Sequence, residues 1–314
     1  MIVQYAACLP FIEIDKENKS LHVSRTVDLG TALAELHENI EAGRHNAFAL
    51  PPKGADGFYG FLDAFEKKEK KIPLVKGHIT GTLTLAVSID DIPEAGEGTP
   101  RRVIHNETIM ELLPQAVGIM GAWQAEKLSA IAEKVIIFID EPALSDYGSE
   151  MHPIRQQPNQ LKKMINRTVQ QIKKEAEDRN VFVGMHCCGN TTWEHWLNTE
   201  LDIINFDAYS YWSHFFNRKE QIRDFIHSGK ILAFGLVPTA KEMLEKCTKE
   251  HLWDKLKQKI GSLAATGIDR NRLVAQSLIT PACGYGSTDV ETCRRGFELM
   301  AEVSDMARNE YRMQ

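Results

Sequence analysis

His186, Cys187 and Cys188 form the sharpest chemical signal in the sequence. They close a short apolar run over residues 181–186. In an extended segment residues i and i+2 point to the same side, so His186 and Cys188 converge while Cys187 turns away. Imidazole nitrogen and thiolate sulfur are preferred zinc ligands, and two ligands at this spacing need a third from elsewhere. Cys283 is the natural candidate, because it follows the last apolar run and closure of a barrel would bring that run round. Three protein ligands leave one position open for water or substrate, which is the catalytic rather than the structural arrangement. A buried cysteine is more commonly a small apolar core residue, and Cys8, Cys187, Cys247 and Cys293 are read that way.

Other polar residues stand where apolar runs end. Thr80 closes the run 73–80, Asp140 and Glu141 follow 135–140, Asn190 lies just past Cys188, and Asp207 and Tyr209 follow 203–207. Asp140, Glu141 and Asp207 can each be a helix cap or an ion-pair partner. Their functional reading makes Asp140 and Glu141 catalytic or substrate-binding carboxylates and Asp207 a fourth metal ligand. Thr80, Asn190 and Tyr209 are candidates for substrate contact. Lys76 and His78 interrupt an otherwise apolar strand, which predicts one polar face on it.

The elements that must position these residues follow from periodicity. Residues 11–14 and 21–23 flank the polar turn 15–20 and predict a hairpin within segment 1–27. Segment 28–71 predicts two helices, over 29–42 and 57–67, from Leu33, Leu36, Ile40 and Phe58, Phe61, Phe65. From residue 72 to 314, apolar runs alternate with amphipathic helices such as 111–133, 160–178 and 252–266. The runs are 73–80, 135–140, 181–186, 203–207, 231–236 and 273–280. Val- and Ile-rich strands without clean alternation are buried on both faces, as in a parallel sheet.

An open doubly wound sheet would carry a Gly-rich phosphate turn after an early strand. Gly284-Tyr285-Gly286 lacks the third glycine, and no Walker sequence is present. The pattern therefore predicts a single α/β domain, a TIM-type (β/α)8 barrel, with all the polar strand ends on one rim. Only six strands are evident, so the barrel is incomplete at its N-terminus. Either the segment 47–50 closes the gap, or an open edge is covered by a second copy, a partner or an N-terminal extension.

Composition sets the outer bounds. The chain has 314 residues and a formal charge of −6, with 43% hydrophobic and 25% charged residues. A mildly acidic chain lacks the basic footprint of a nucleic-acid binder. No run approaches the roughly 18 apolar residues of a membrane helix, and no leader is visible, which makes the cytoplasm the expected compartment. Six cysteines are too few for a disulfide scaffold, and in that compartment they stay reduced.

Taken together, the motifs resemble the catalytic domain of cobalamin-independent methionine synthase. The wider superfamily includes uroporphyrinogen decarboxylase and the methylcobamide:coenzyme M methyltransferases. Ile139-Asp140-Glu141-Pro142-Ala143-Leu144 looks like the I-D-E-P-A-L segment of the methionine synthases. Val75-Lys76-Gly77-His78-Ile79-Thr80-Gly81 is similar to their K-G-x-x-T-G strand. His186-Cys187-Cys188-Gly189-Asn190-Thr191 resembles the H-x-C-G-N-T of the corrinoid-linked branch, and Pro281-Ala282-Cys283-Gly284 the P-x-C-G segment. The resemblance spans residues 72–300. It implies a zinc-dependent methyltransferase, with zinc on His186, Cys188 and Cys283 and a methyl group passing from methyl-tetrahydrofolate or a methylcorrinoid to a small-molecule thiol. A corrinoid protein would be the partner in the second case.

By the same resemblance, Asp140 matches an aspartate that binds the amino group of homocysteine. Asp207 falls where the methionine synthases have a longer glutamate ligand. The chain lacks their G-S-F-P opening segment, which leaves the acceptor thiol open. A non-catalytic barrel binding corrinoid or metal is one alternative. A metal-free decarboxylase is another, and it would leave the His186, Cys188 and Cys283 set unexplained.

Overall fold

The N-terminal hairpin forms as the periodicity predicts. In the computed structural model, which describes residues 1–91, 101–147, 154, 157–177 and 179–311, β1 (Ile12–Asp15) pairs antiparallel with β2 (Ser20–Val23). Asp15 organises the turn, its carboxylate accepting the backbone N–H groups of Glu17 and Asn18 at 2.9 Å each. The helix Leu29–Glu41 starts where Asp28 accepts the Thr31 N–H at 2.8 Å, and it buries Leu33, Leu36 and Ile40. A second helix covers Asp56–Glu66.

The remaining strands are β3 (Ile72–Thr80), β4 (Asp90–Asp91), β5 (Arg101–Arg102), β6 (Ala132–Asp140), β7 (Val181–Cys187), β8 (Ile203–Phe206), β9 (Ile231–Val237) and β10 (Ser277–Pro281). A small sheet has the order β1-β2-β4-β5, and a six-stranded sheet the order β10-β9-β8-β7-β6-β3. β3 with β6, β8 with β9, and β9 with β10 are parallel. The chain packs as two units, Met1–Met185 and His186–Gln314, the division falling inside β7.

Several boundaries differ from expectation for local reasons. Residues 273–275 are helical, not the start of a strand. Asp269 accepts the Arg272 N–H at 2.8 Å and starts a helix over Arg270–Ala275 whose buried face takes Leu273 and Val274. The helix expected over 111–133 is Glu107–Ile131, capped by Asn106, and the chain enters β6 directly after it. Helix 160–178 is observed as Pro158–Glu175, with Asp178 outside the described residues, and helix 252–266 as Lys249–Ala264.

The six-stranded sheet falls short of the eight strands of a complete barrel among the described residues. Segment 47–50 supplies none. It leaves a 3-10 turn over His45–Phe48, and Phe48 and Leu50 are buried in the core. The end of the sheet at β3 is met instead by side chains. Tyr5, on the short helix Ile2–Ala6, donates its hydroxyl to the His78 carbonyl, and Gln124 donates to that carbonyl at 2.8 Å. A backbone acceptor of the terminal strand is thus satisfied without another strand, which is one way a native sheet manages an edge. Among the described residues no helix is long and apolar enough to cross a membrane.

Candidate metal centre

β7 carries the first part of the site. Val183, Met185 and Cys187 are fully buried, and by the parity of a strand His186 faces the opposite side. Cys187 turns its sulfur toward the Gly189 carbonyl at 3.7 Å, away from the histidine, as its parity requires. The ligand atoms of His186, Cys188 and Cys283 all lie within 4.8 Å of one another. With Zn–S distances of about 2.3 Å, tetrahedral zinc would hold two sulfurs about 3.8 Å apart, so these donors fit such an ion with small adjustments. Among the described residues this is the one such group of histidine, cysteine and acidic side chains.

The imidazole is held by a residue that the sequence motifs did not single out. His186 Nδ1 lies 2.6 Å from the Asn205 side-chain oxygen on β8. The Asn205 amide nitrogen is committed elsewhere, donating to the Ala233 carbonyl and to Thr280 Oγ1, both at 2.9 Å. Those two acceptors fix which end of the amide is oxygen, so Nδ1 carries the proton and Nε2 keeps the lone pair that a metal needs. The available signal was a lone amide inside Ile203-Ile204-Asn205-Phe206, otherwise apolar and fully buried around it.

Outer-sphere partners of metal-binding histidines typically contribute a factor of about 10–100 in affinity. If the cluster holds zinc, Asn205→Ala is expected to weaken that binding by about 10–100-fold, measured by competition with a chromogenic chelator. An unchanged affinity in a folded variant would remove Asn205 from this role.

The two thiols are electrostatically unlike. Cys283 is pulled below the ordinary thiol range, first by a hydrogen bond from Cys188 and then by His186. Cys188 is pushed up by the same bond and by burial. One thiolate is thus already favoured in the cluster, and thiolate is the form that binds metal.

Asp207, expected as a fourth ligand, is not part of the converging group. It is 9% exposed, and its carboxylate accepts the Ser210 N–H at 2.8 Å, holding the turn that leaves β8. Burial raises its carboxyl above the usual range. Asn190 is exposed. Tyr209 is half-buried, with its hydroxyl 3.7 Å from the Cys247 sulfur.

The first unit holds the other expected residues. Asp140 and Thr80 are paired across β3 and β6, as are His78 and Phe138. Thr80 is fully buried and its hydroxyl has no hydrogen-bond partner among the described residues. Lys76 lies over the Phe138 ring at 4.8 Å, and burial pushes its ammonium below the usual range against the pull of Asp140.

Glu141, expected as a catalytic carboxylate, has no exposed surface. Its oxygens accept the N–H groups of Leu83 at 2.9 Å and Thr84 at 2.8 Å, and the Thr84 hydroxyl at 2.7 Å. Burial pushes it up to about 7 despite these donors. These bonds anchor the start of the helix Thr82–Ser88, and a side chain at Gly81 would collide with the carboxylate.

No known family and no curated protein matches the chain. Among solved structures it is similar to a methyltransferase from Methanosarcina mazei, with 16% identity and a TM-score of 0.49 over 97% of this chain and 79% of that one. It is also similar to the 3-keto-D-glucoside 4-epimerase of E. coli in its apo form, with 11% identity and a TM-score of 0.36 over 80% and 85%.

Proposed function

We propose that the chain is a methyltransferase that holds zinc on His186, Cys188 and Cys283 and methylates a thiol. The observation that carries this reading is the convergence of one imidazole and two thiols within 4.8 Å, with the imidazole tautomer set by Asn205. Zinc bound there would keep an incoming thiol as the nucleophilic thiolate at neutral pH. The protein's own part is to hold the donors. Asn205 locks the ring, the end of β7 sets His186 and Cys188 on one side, and the segment after β10 presents Cys283. Three protein donors leave the fourth position to the acceptor, the open arrangement of catalytic zinc sites. The methyl donor is a pterin or a corrinoid, and a corrinoid would arrive on a partner protein.

The test uses the purified full chain with methylcobalamin, and in parallel methyl-tetrahydrofolate, against a panel of small thiols. Thiol-dependent demethylation, followed by absorbance, should stop on chelation and return with zinc. Turnover that ignores chelators would overturn the zinc reading. A stable spectral shift without demethylation would make the protein a binding partner instead of an enzyme.

A further inference from the structure

A cavity of about 360 Å³ lies within the second unit, and none of the His186, Cys188 and Cys283 cluster lines it. That volume falls in the range of small-molecule sites, about 300–1,000 Å³. Its walls come from the helices Lys249–Ala264 and Arg270–Ala275, from β10 and from the helix Val290–Tyr311. Leu256, Ile260 and Val274 line it and are buried, and Leu278 is half-buried beside them. Two ends of one strand thus carry different features. Ser277 and Leu278 at the start of β10 line the cavity, whereas Cys283 follows its other end.

The helix Val290–Tyr311 brings polar groups to the same cavity. Ser304, Arg308 and Tyr311 follow Met300 at spacings of four, four and three residues, so all four share one helix face, and all four line the cavity. The side chains of Ser304 and Arg308 enter no hydrogen bond or ion pair among the described residues. Tyr311 packs edge-on against Trp253, with 6.0 Å between ring centres, but its hydroxyl is buried and has no partner. A buried hydroxyl left without a partner is unfavourable. Apolar walls with a small set of unpaired donors on one side are the make-up of a site for an amphipathic ligand. Arg308 fixes the sign of its polar end, because a guanidinium presents forked donors that match a carboxylate.

We propose that this cavity binds an aliphatic carboxylate. The chain lies against Leu256, Ile260, Val274 and Leu278. The carboxylate lies at Arg308, where Ser304 and Tyr311 donate their hydroxyls to the same oxygens. Arg308 is exposed, so the charged end stays near solvent and loses little hydration while the chain is buried. The assignment does not rest on the methyltransferase reading, since the cavity shares no residue with the candidate metal centre.

Octanoate is titrated into the full chain by calorimetry, below its micelle concentration, with octanol as the neutral counterpart. The parent should bind octanoate saturably at one site and favour it over octanol by at least about tenfold, the worth of hydrogen bonds to a charged group. Arg308→Met, a change at an exposed position, should erase that preference and leave octanol binding as it was. Tyr311→Phe should weaken octanoate alone. Ala307→Phe, which sets a ring into the lining, should abolish binding of both.

Thermal unfolding without ligand shows which variants are folded, and Arg308→Met carries the test if Ala307→Phe is not. Absence of saturable binding by the parent, or equal binding by parent and Arg308→Met, would overturn the site. Equal affinity of the parent for octanoate and octanol would overturn the carboxylate. Sedimentation of the ligand-free chain covers the remaining occupant: a dimer that Ala307→Phe dissociates would give the cavity to a second copy and overturn the ligand.

Discussion

Cys283→Ser is expected to abolish the zinc binding proposed for the His186, Cys188 and Cys283 cluster. Purified under reducing, chelator-free conditions, the parent chain should carry about one zinc per chain, and the variant less than about a tenth of that. The argument is chemical. A serine hydroxyl is of similar size but does not ionise near neutral pH, so the site loses the very donor that its neighbours already favour as thiolate. Two ligands, His186 and Cys188, then remain on one strand end, too few for a tight site. Cys188→Ser should behave alike. Cys187→Ala is the discriminating control, because its sulfur faces the Gly189 carbonyl and is not part of the converging group. That variant should keep its zinc. Elemental analysis of the four proteins decides the matter. A parent chain without zinc, or a Cys283→Ser chain with a full equivalent, would sink the assignment.

Gly235→Ala should be the most damaging single-methyl change in the second unit. A Cβ at Gly235 would lie 2.5 Å from the Phe206 carbonyl oxygen, 3.0 Å from the Ala282 Cα and 3.2 Å from the Asp207 Cα. All three are backbone atoms, so no side chain can swing aside. β9 would have to part from its neighbours at the level of the candidate metal centre, since Ala282 adjoins Cys283. Overpacking costs about 1–3 kcal/mol and occasionally more, and contacts with backbone alone put Gly235→Ala at the upper end of that range. Denaturant unfolding should show that loss, and zinc affinity should fall with it. Gly286→Ala provides the contrast. Nothing lies within 4 Å of a Cβ there, so its effect should stay within about 0.5 kcal/mol. Equal stabilities for the two variants would show that the strands yield more easily than their contacts imply.

Much of the fold was legible because period and composition are local properties. The hairpin, the helix Leu29–Glu41 and the parallel strands all follow from apolar spacing. The misplaced start of β10 shows the limit. Leu273 and Val274 suit a strand and a buried helix face equally, and the Asp269 cap decided for the helix. Carboxylates at strand ends were ambiguous for a similar reason. Glu141 and Asp207 occupy the positions in which caps and functional groups both occur, and the N–H groups that each accepts are visible only in the structure.

By itself the sequence determined the chemistry on offer and its local direction. His186 and Cys188 share a side and Cys187 opposes them, because alternation along a strand is a property of the backbone alone. Tertiary structure decided everything that depends on distance between remote residues. It brought Cys283 to the pair, set Asn205 against the imidazole and left Asp207 outside the cluster. It also ended the sheet on Tyr5 and Gln124 in place of further strands. Hydrogen bonds and metal sites require atoms to meet within a few ångströms, and that proximity is written in the packing of strands, not in the spacing along any one of them.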